Sequence, residues 1–155
     1  MRILVTSDTH NNYLALKNAI LAQPTAEALI HLGDGEGDVT KICESFPKLK
    51  IFQVQGNCDY GSTLPKSLEV EIGEKKIFLT HGHLYNVKFN LYSVYLAGKE
   101  VGADIVLFGH THSAMTLYQD GVYIMNPGSL KGYNASYGII DITDSGIVTN
   151  IIKAD

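Results

Sequence analysis

Between Arg2 and Asp59 the chain alternates short apolar runs with stretches of helical spacing. Residues 2–7, 28–32 and 51–55 read as short strands, the first of them buried. Residues 13–23 place Leu16, Ala19 and Ile20 on one helical face, with Asn12 positioned to cap the helix and Pro24 to stop it. Residues 39–46 predict a second, short helix. The rhythm then changes. Residues 67–72 alternate with Leu68, Val70 and Ile72 inward, Gly73-Glu74-Lys75 is a turn signal, and residues 76–80 form the return strand. Leu91, Val94, Tyr95, Gly98 and Val101 recur at helical spacing before a further strand over residues 103–108. Short strands follow at 114–118, 122–125, 137–142 and 147–152, joined by turns that include Asp120-Gly121 and Asp144-Ser145-Gly146. No repeat, low-complexity segment or linker interrupts this pattern, so residues 1–155 read as one domain. Strand–helix alternation followed by hairpins predicts two layers of sheet with helices outside them. The order of the strands cannot be read from the pattern.

The polar residues gather where the apolar runs stop. The first strand ends in Asp8-Thr9-His10, the second in Gly33-Asp34 and the third in Gly56-Asn57-Cys58-Asp59. The return strand ends in His81-Gly82-His83, and Ile105-Val106-Leu107-Phe108 ends in Gly109-His110-Thr111-His112, where Gly109 is expected to let the backbone turn. Open α/β sheets bind ligands at the carboxyl ends of their strands. Any one of these motifs alone is an ordinary turn or cap; five of them at five strand ends are not ordinary.

Composition narrows the chemistry. A chain of 155 residues with 45% hydrophobic and 18% charged content supports a sizeable core. The formal charge is −4, and no Lys/Arg cluster offers the basic face that a phosphate-binding nucleic-acid partner needs. No stretch reaches membrane-spanning length, and the N-terminal apolar run is too short for a signal-peptide core. Cys43 and Cys58 show no framework spacing and read as reduced thiols of a cytoplasmic protein.

Asp8, His10, Asp34, Asn57, His81, His110 and His112 are imidazole, carboxylate or amide ligands with no thiolate among them. Such a set suits Mn, Fe, Co, Ni or Zn. It is too large for one catalytic zinc and fits two ions about 3.5–4 Å apart that share a carboxylate. Two such ions can hold the free oxygens of a phosphate ester and acidify the water that attacks it. Gly33 and Gly56, each one residue before a candidate ligand, fit backbone packed tightly around the centre.

These blocks resemble the calcineurin-like metallophosphoesterase superfamily, through Asp8-x-His10, Gly33-Asp34, Gly56-Asn57-x-Asp59, His81 in its Gly-rich loop and Gly109-His110-x-His112, all in the family's order over residues 8–112. The resemblance implies an α/β fold, a four-layer αββα sandwich of two mixed sheets flanked by helices. It implies one metal on Asp8, His10 and His112, a second on Asn57, His81 and His110, and Asp34 bridging them. Two divalent ions per chain are expected, Mn first and Fe, Ni, Co or Zn as alternatives. Small size and Asn126-Pro127-Gly128-Ser129 resemble the single-domain prokaryotic phosphodiesterases of the superfamily. The expected activity is hydrolysis of small phosphate diesters by a metal-held hydroxide. A phosphomonoesterase of the same fold and a weakly active, retromer-subunit-like interaction scaffold are the alternatives, and a homo-oligomer stays open. Most members carry His where this chain has Cys58; the small phosphodiesterase branch often carries Cys. Asn57, Cys58 and His83 are then the expected substrate contacts, with His83 a substitute acid for the leaving group.

Blander readings hold for the remaining polar residues. His31 sits in an apolar strand and reads as a satisfied core histidine. Glu36 and Asp38 read as a solvated loop or helix start, Cys43 as core, Tyr92 and Tyr95 as helix packing, and residues 126–129 as a structural turn near the site. Cys58 reads as a site-lining thiol and not a nucleophile. A tyrosinate di-iron centre is excluded, because no Tyr follows Asp34 in Gly35-Glu36-Gly37-Asp38.

Overall fold

Strand residues that are apolar at every position need cover on both faces. β1 (Arg2–Thr6) meets that need by turning Ile3 and Val5 toward one layer and Leu4 toward another. A computed structural model describes residues 1–154. β1 pairs in parallel with β2 (Ala28–His31), Val5 opposite Ile30, and β2 with β3 (Lys50–Gln53), Leu29 opposite Ile51. α1 (Tyr13–Leu21) and α2 (Glu36–Ser45) cross between these strands and lay Leu16, Ala19, Ile20, Val39 and Ile42 on Leu4 and Leu29.

The second sheet starts with the hairpin β4 (Ser67–Ile72) and β5 (Lys75–Thr80). β5, β6 (Ile105–Leu107) and β8 (Val122–Asn126) are parallel neighbours, and β7 (Met115–Gln119) closes the edge against β8. α3 (Tyr92–Glu100) covers this sheet through Val94, against Phe78, Val106 and Phe108. It approaches closely at Gly98, where a Cβ would stand 2.2 Å from Val106 Cγ2. β9 (Ser136–Thr143) and β10 (Gly146–Lys153) return to the first sheet, β9 antiparallel to β1. The strand orders are β10-β9-β1-β2-β3 and β4-β5-β6-β8-β7. Ile3, Val5 and Ile30 of one sheet and Ile77, Leu79, Ile105 and Leu107 of the other form the central core. The result is the expected four-layer αββα sandwich of two mixed sheets. The domain bounds read from the sequence reach Asp155, which lies outside the described residues.

Most elements lie within two residues of their sequence bounds. α2 differs: it begins at Glu36, not at residue 39. Its N-cap, Gly35, has no side chain to offer, and the carboxylate of Asp59 accepts the Gly35 and Glu36 N–H groups instead, at 3.0 and 3.1 Å. A cap from a distant loop leaves no local sequence signal. Glu36 and Asp38 are thus at a helix start, one of the two expected placements, and Asp38 is buried, not solvated, accepting the Thr9 hydroxyl at 2.6 Å. Two further expectations fail. Cys43 is exposed, because Val39 and Ile42 take the inner face of α2. Tyr92 is exposed rather than packed, whereas Tyr95 does pack on the third core cluster.

The parallel strands β1, β2, β3, β5, β6 and β8 each run into one of the polar loops. Leu79 sits two residues before His81, fully buried between the sheets. Replacing Leu79 with Ala is expected to cost about 2–5 kcal/mol. Urea unfolding followed by circular dichroism measures it, and a loss below about 1 kcal/mol would contradict this placement of the core.

Candidate metal centre

β1 and β2 deliver Asp8 and Asp34 on adjacent loops that are tied together, Asp8 N–H donating to Gly33 O and His10 N–H to Asp34 O, both at 3.0 Å. Each carboxylate is anchored through one oxygen only. Asp8 Oδ2 accepts the Ser7 hydroxyl and the His110 N–H, the latter at 3.1 Å. Its Oδ1 faces His112 Nε2 at 3.1 Å, His10 Nε2 at 3.7 Å and His81 Nε2 at 4.0 Å. Asp34 Oδ1 accepts the Cys58 N–H at 2.7 Å, while Oδ2 faces His81 Nε2 at 3.5 Å and His10 Nε2 at 3.9 Å. The free oxygens and the imidazole nitrogens thus point at a common region.

His81 donates Nδ1–H to Leu32 O at 2.7 Å; a carbonyl only accepts, so the lone pair lies on Nε2, toward Asp34 and 3.0 Å from Asn57 Oδ1. His10 and His112 bring their Nε2 atoms within 3.3 Å. Asp8–His10–His112 and Asp8–Asp34–His81 are two groupings able to hold a cation, and His10–Asp34–Cys58 is a third. The His110 imidazole stands beside this cluster, its ring 5.0 Å from that of His81. Burial first, then His81 and Lys88, push its pKa down to about 4. His83 stacks behind at 5.4 Å from His81 and 6.0 Å from His110, and burial lowers its pKa as well. Cys58 lines the cleft; burial, then the contact with Asp34, raises its thiol pKa and keeps it protonated.

Asp8 is wholly buried and Asp34 almost so, and among the described residues neither pairs with Lys or Arg. Buried anions without a counter-charge are costly. Two carboxylates and several lone-pair nitrogens, converging without a cation of the chain's own, fit divalent metal ions.

The backbone is bent to reach this geometry. Nine described non-glycine residues have φ between 46° and 69°, and Asp8, His10, Asp34, His110 and His112 are five of them. Such conformations cost about 1–3 kcal/mol each and cluster at functional sites. Glycines here serve close approach. A Cβ on Gly56 would lie 2.1 Å from Asp34 Oδ1, and one on Gly33 2.6 Å from Gly56 N. At Gly109 the need is also space and not a turn: a Cβ would lie 2.0 Å from Ser7 Oγ.

Some participants carried no sequence signal strong enough to give them a role. Asp59 accepts four backbone N–H groups, from Asp34, Gly35, Glu36 and Gly56, at 2.8–3.1 Å. Burial alone would raise its pKa, but these donors outweigh it and hold the carboxyl below the usual range. Ser129 donates its hydroxyl to Asp8 O at 2.8 Å, and Asn126 donates Nδ2–H to Gly109 O and Thr111 Oγ1 at 2.9 Å. The turn at 126–129 therefore braces both the first and the last loop. His31 is fully buried and bonded to Thr6 Oγ1 at 3.0 Å through Nδ1, but Nε2 has no partner, so it is satisfied on one side only. Burial pushes its pKa down to about 4.

A family model described as the calcineurin-like phosphoesterase superfamily domain matches residues 1–145. The chain is 35% identical over 133 residues to a probable metallophosphoesterase, YsnB, of Bacillus subtilis, covering 84% of this chain and 76% of that one. It is 30% identical over 169 aligned positions to the phosphodiesterase YfcE of Escherichia coli, covering 91% and 88%. A crystal structure from Streptococcus pneumoniae, described as a predicted phosphoesterase, superposes with a TM-score of 0.85 at 29% identity, over 99% of this chain and 90% of that one. Vps29 of Entamoeba histolytica with zinc shares the fold at a TM-score of 0.73 and 20% identity over the whole of both chains.

Changing Asp59 to Asn places an NH₂ group against N–H donors. The expected loss is about 1–3 kcal/mol of stability, read by urea unfolding. An unchanged midpoint would show that the four N–H groups do not depend on the carboxylate.

Proposed function

The chain belongs to the calcineurin-like phosphoesterase superfamily, and from that premise we propose that it is a metal-dependent phosphodiesterase of one domain, acting on small phosphate diesters. The observation that carries this reading is the pair of buried carboxylates, Asp8 and Asp34, each with one anchored oxygen and one oxygen turned toward imidazoles. Two divalent ions, Mn foremost, would be held by Asp8, His10 and His112 on one side and by Asn57, His81 and His110 on the other, with Asp34 between them. When bound, such ions polarise the phosphoryl oxygens and lower the pKa of water to about 7.

The chain's own groups do the rest. Leu32 O fixes the His81 tautomer, so that Nε2 offers a lone pair at every pH where the ring is neutral. Ser7 and the His110 amide hold Asp8 so that Oδ1 faces inward. Asn57, Cys58 and His83 line the substrate side. A protonated thiol at Cys58 is a poor donor to an alkoxide, so turnover should follow leaving-group quality, and His83 is the remaining acid candidate. No helix among the described residues is long and apolar enough to cross a membrane. A scaffold role is the weaker reading, because every ligand position implied by the resemblance is filled by a competent side chain.

Metal-stripped protein, assayed on bis-p-nitrophenyl phosphate and on p-nitrophenyl phosphate with each divalent ion added back, should regain diester turnover, most with Mn. Regain on the monoester alone would give the phosphomonoesterase instead. Asn57→Ala and His110→Ala should each lower turnover at least about a hundredfold, beyond the usual value of outer-shell partners, with circular dichroism unchanged. His83→Ala should cost more on an alkyl diester than on the nitrophenyl one; equal losses on both would remove it from the acid role.

A further inference from the structure

The ligand cluster opens sideways into a polar cleft of about 460 Å³. His10, Asp34 and Cys58, whose ligand atoms lie within 4.8 Å of one another, share its lining with Glu36, Thr40 and Tyr60. Tyr60 is 91% exposed, an aromatic ring presented to solvent beside a polar cleft. Glu36 forms no ion pair among the described residues. Asp59, also in the wall, is an anion whose oxygens are occupied by backbone N–H groups. Among the described residues, no lysine or arginine lines the cleft. The cleft wall therefore offers acidic groups without a basic one beside them.

We propose that this cleft receives the second arm of the diester, with Tyr60 as the face it packs on and Glu36 as the charge that admits cationic and neutral arms and rejects anionic ones. The inference rests on the phosphodiesterase reading. A phosphomonoester has no second arm and leaves the cleft unfilled, whereas a diester must lead one substituent away from the cluster. A ring face attracts ammonium groups and planar substituents. An unpaired carboxylate adds attraction for a cation and repulsion for an anion, screened by salt. An arm ending in a phosphate or carboxylate would meet Glu36 and Asp59 with no counter-charge to receive it.

The test uses three matched p-nitrophenyl phosphodiesters, whose second alcohol is choline, propanol or 3-hydroxypropanoate, on the metal-loaded full chain. At low salt kcat/KM should fall in that order, by about tenfold from the cationic to the anionic arm. Glu36→Gln should shrink that ratio toward one and Glu36→Lys should invert it. Tyr60→Ala should lower the choline-to-propanol ratio by about threefold or more. Glu36 is half-buried with no side-chain hydrogen bond among the described residues and Tyr60 is exposed, so unfolding midpoints close to wild type are expected and serve as the control. If all three diesters are hydrolysed but their order is flat, or is unmoved in Glu36→Lys, the cleft is not the arm's seat, and the phosphodiesterase reading survives. If none of them turns over while p-nitrophenyl phosphate does, it is the phosphodiesterase reading that fails, and this inference with it.

Discussion

Two carboxylates buried without a lysine or arginine set the terms for this structure. Asp8 and Asp34 lie at the foot of the site with almost no contact with water. Carrying an isolated anion into a protein interior costs several kcal/mol after relaxation (about that much per ion). The chain satisfies one oxygen of each with fixed donors, the Ser7 hydroxyl and the His110 N–H for Asp8 and the Cys58 N–H for Asp34. The other oxygen is aimed at imidazole nitrogens, which carry no positive charge while neutral. What remains is a negative field directed at one small volume, and a divalent cation is its natural complement.

Holding that field in place requires the loops to be stiff. Asp8, His10, Asp34, His110 and His112 adopt left-handed backbone conformations that only surrounding structure can impose. Bonds between loops supply the constraint. Ser129, in the connection from β8 of the second sheet to β9 of the first, holds the Asp8 carbonyl, and His81, just after β5 of the second sheet, bonds the Leu32 carbonyl just after β2 of the first. Asp59 gathers the backbone of the Asp34 and Gly56 loops onto one carboxylate. Removing a side chain at Gly33, Gly56 and Gly109 lets these loops touch. The two sheets are therefore joined twice, by the apolar core below and by polar bonds at the rim.

Beside the cluster of carboxylates and imidazoles lies a polar cleft. Its wall carries the carboxylates of Glu36 and Asp59 and the bare ring of Tyr60. On the proposed reading, bound metal ions would supply the chemistry and the cleft would bear on which esters approach it. The same division explains why a single fold can serve related chemistries, since ligands sit on strand ends and discriminating groups on the loops beyond them.

Local periodicity carried much of this fold. Alternation at Leu68, Val70 and Ile72 placed a strand, and the spacing of Leu16, Ala19 and Ile20 placed the inner face of α1, with Asn12 accepting the Ala15 N–H as its cap. The seven polar residues at strand ends stood out in the sequence as imidazole, carboxylate and amide groups that each follow an apolar run. Strand order was not legible, since β9 reaches β1 across more than a hundred residues and β6 meets β8 without a mark in either. Nor were the start of α2, the exposure of Cys43 or the bracing by Ser129. Side-chain pattern repeats over two to four residues and so reports only which face of its own element is buried. The bonds that assemble the centre run to backbone N–H and C=O groups on other loops. Those groups are the same at nearly every residue, so only the folded chain decides which of them meet.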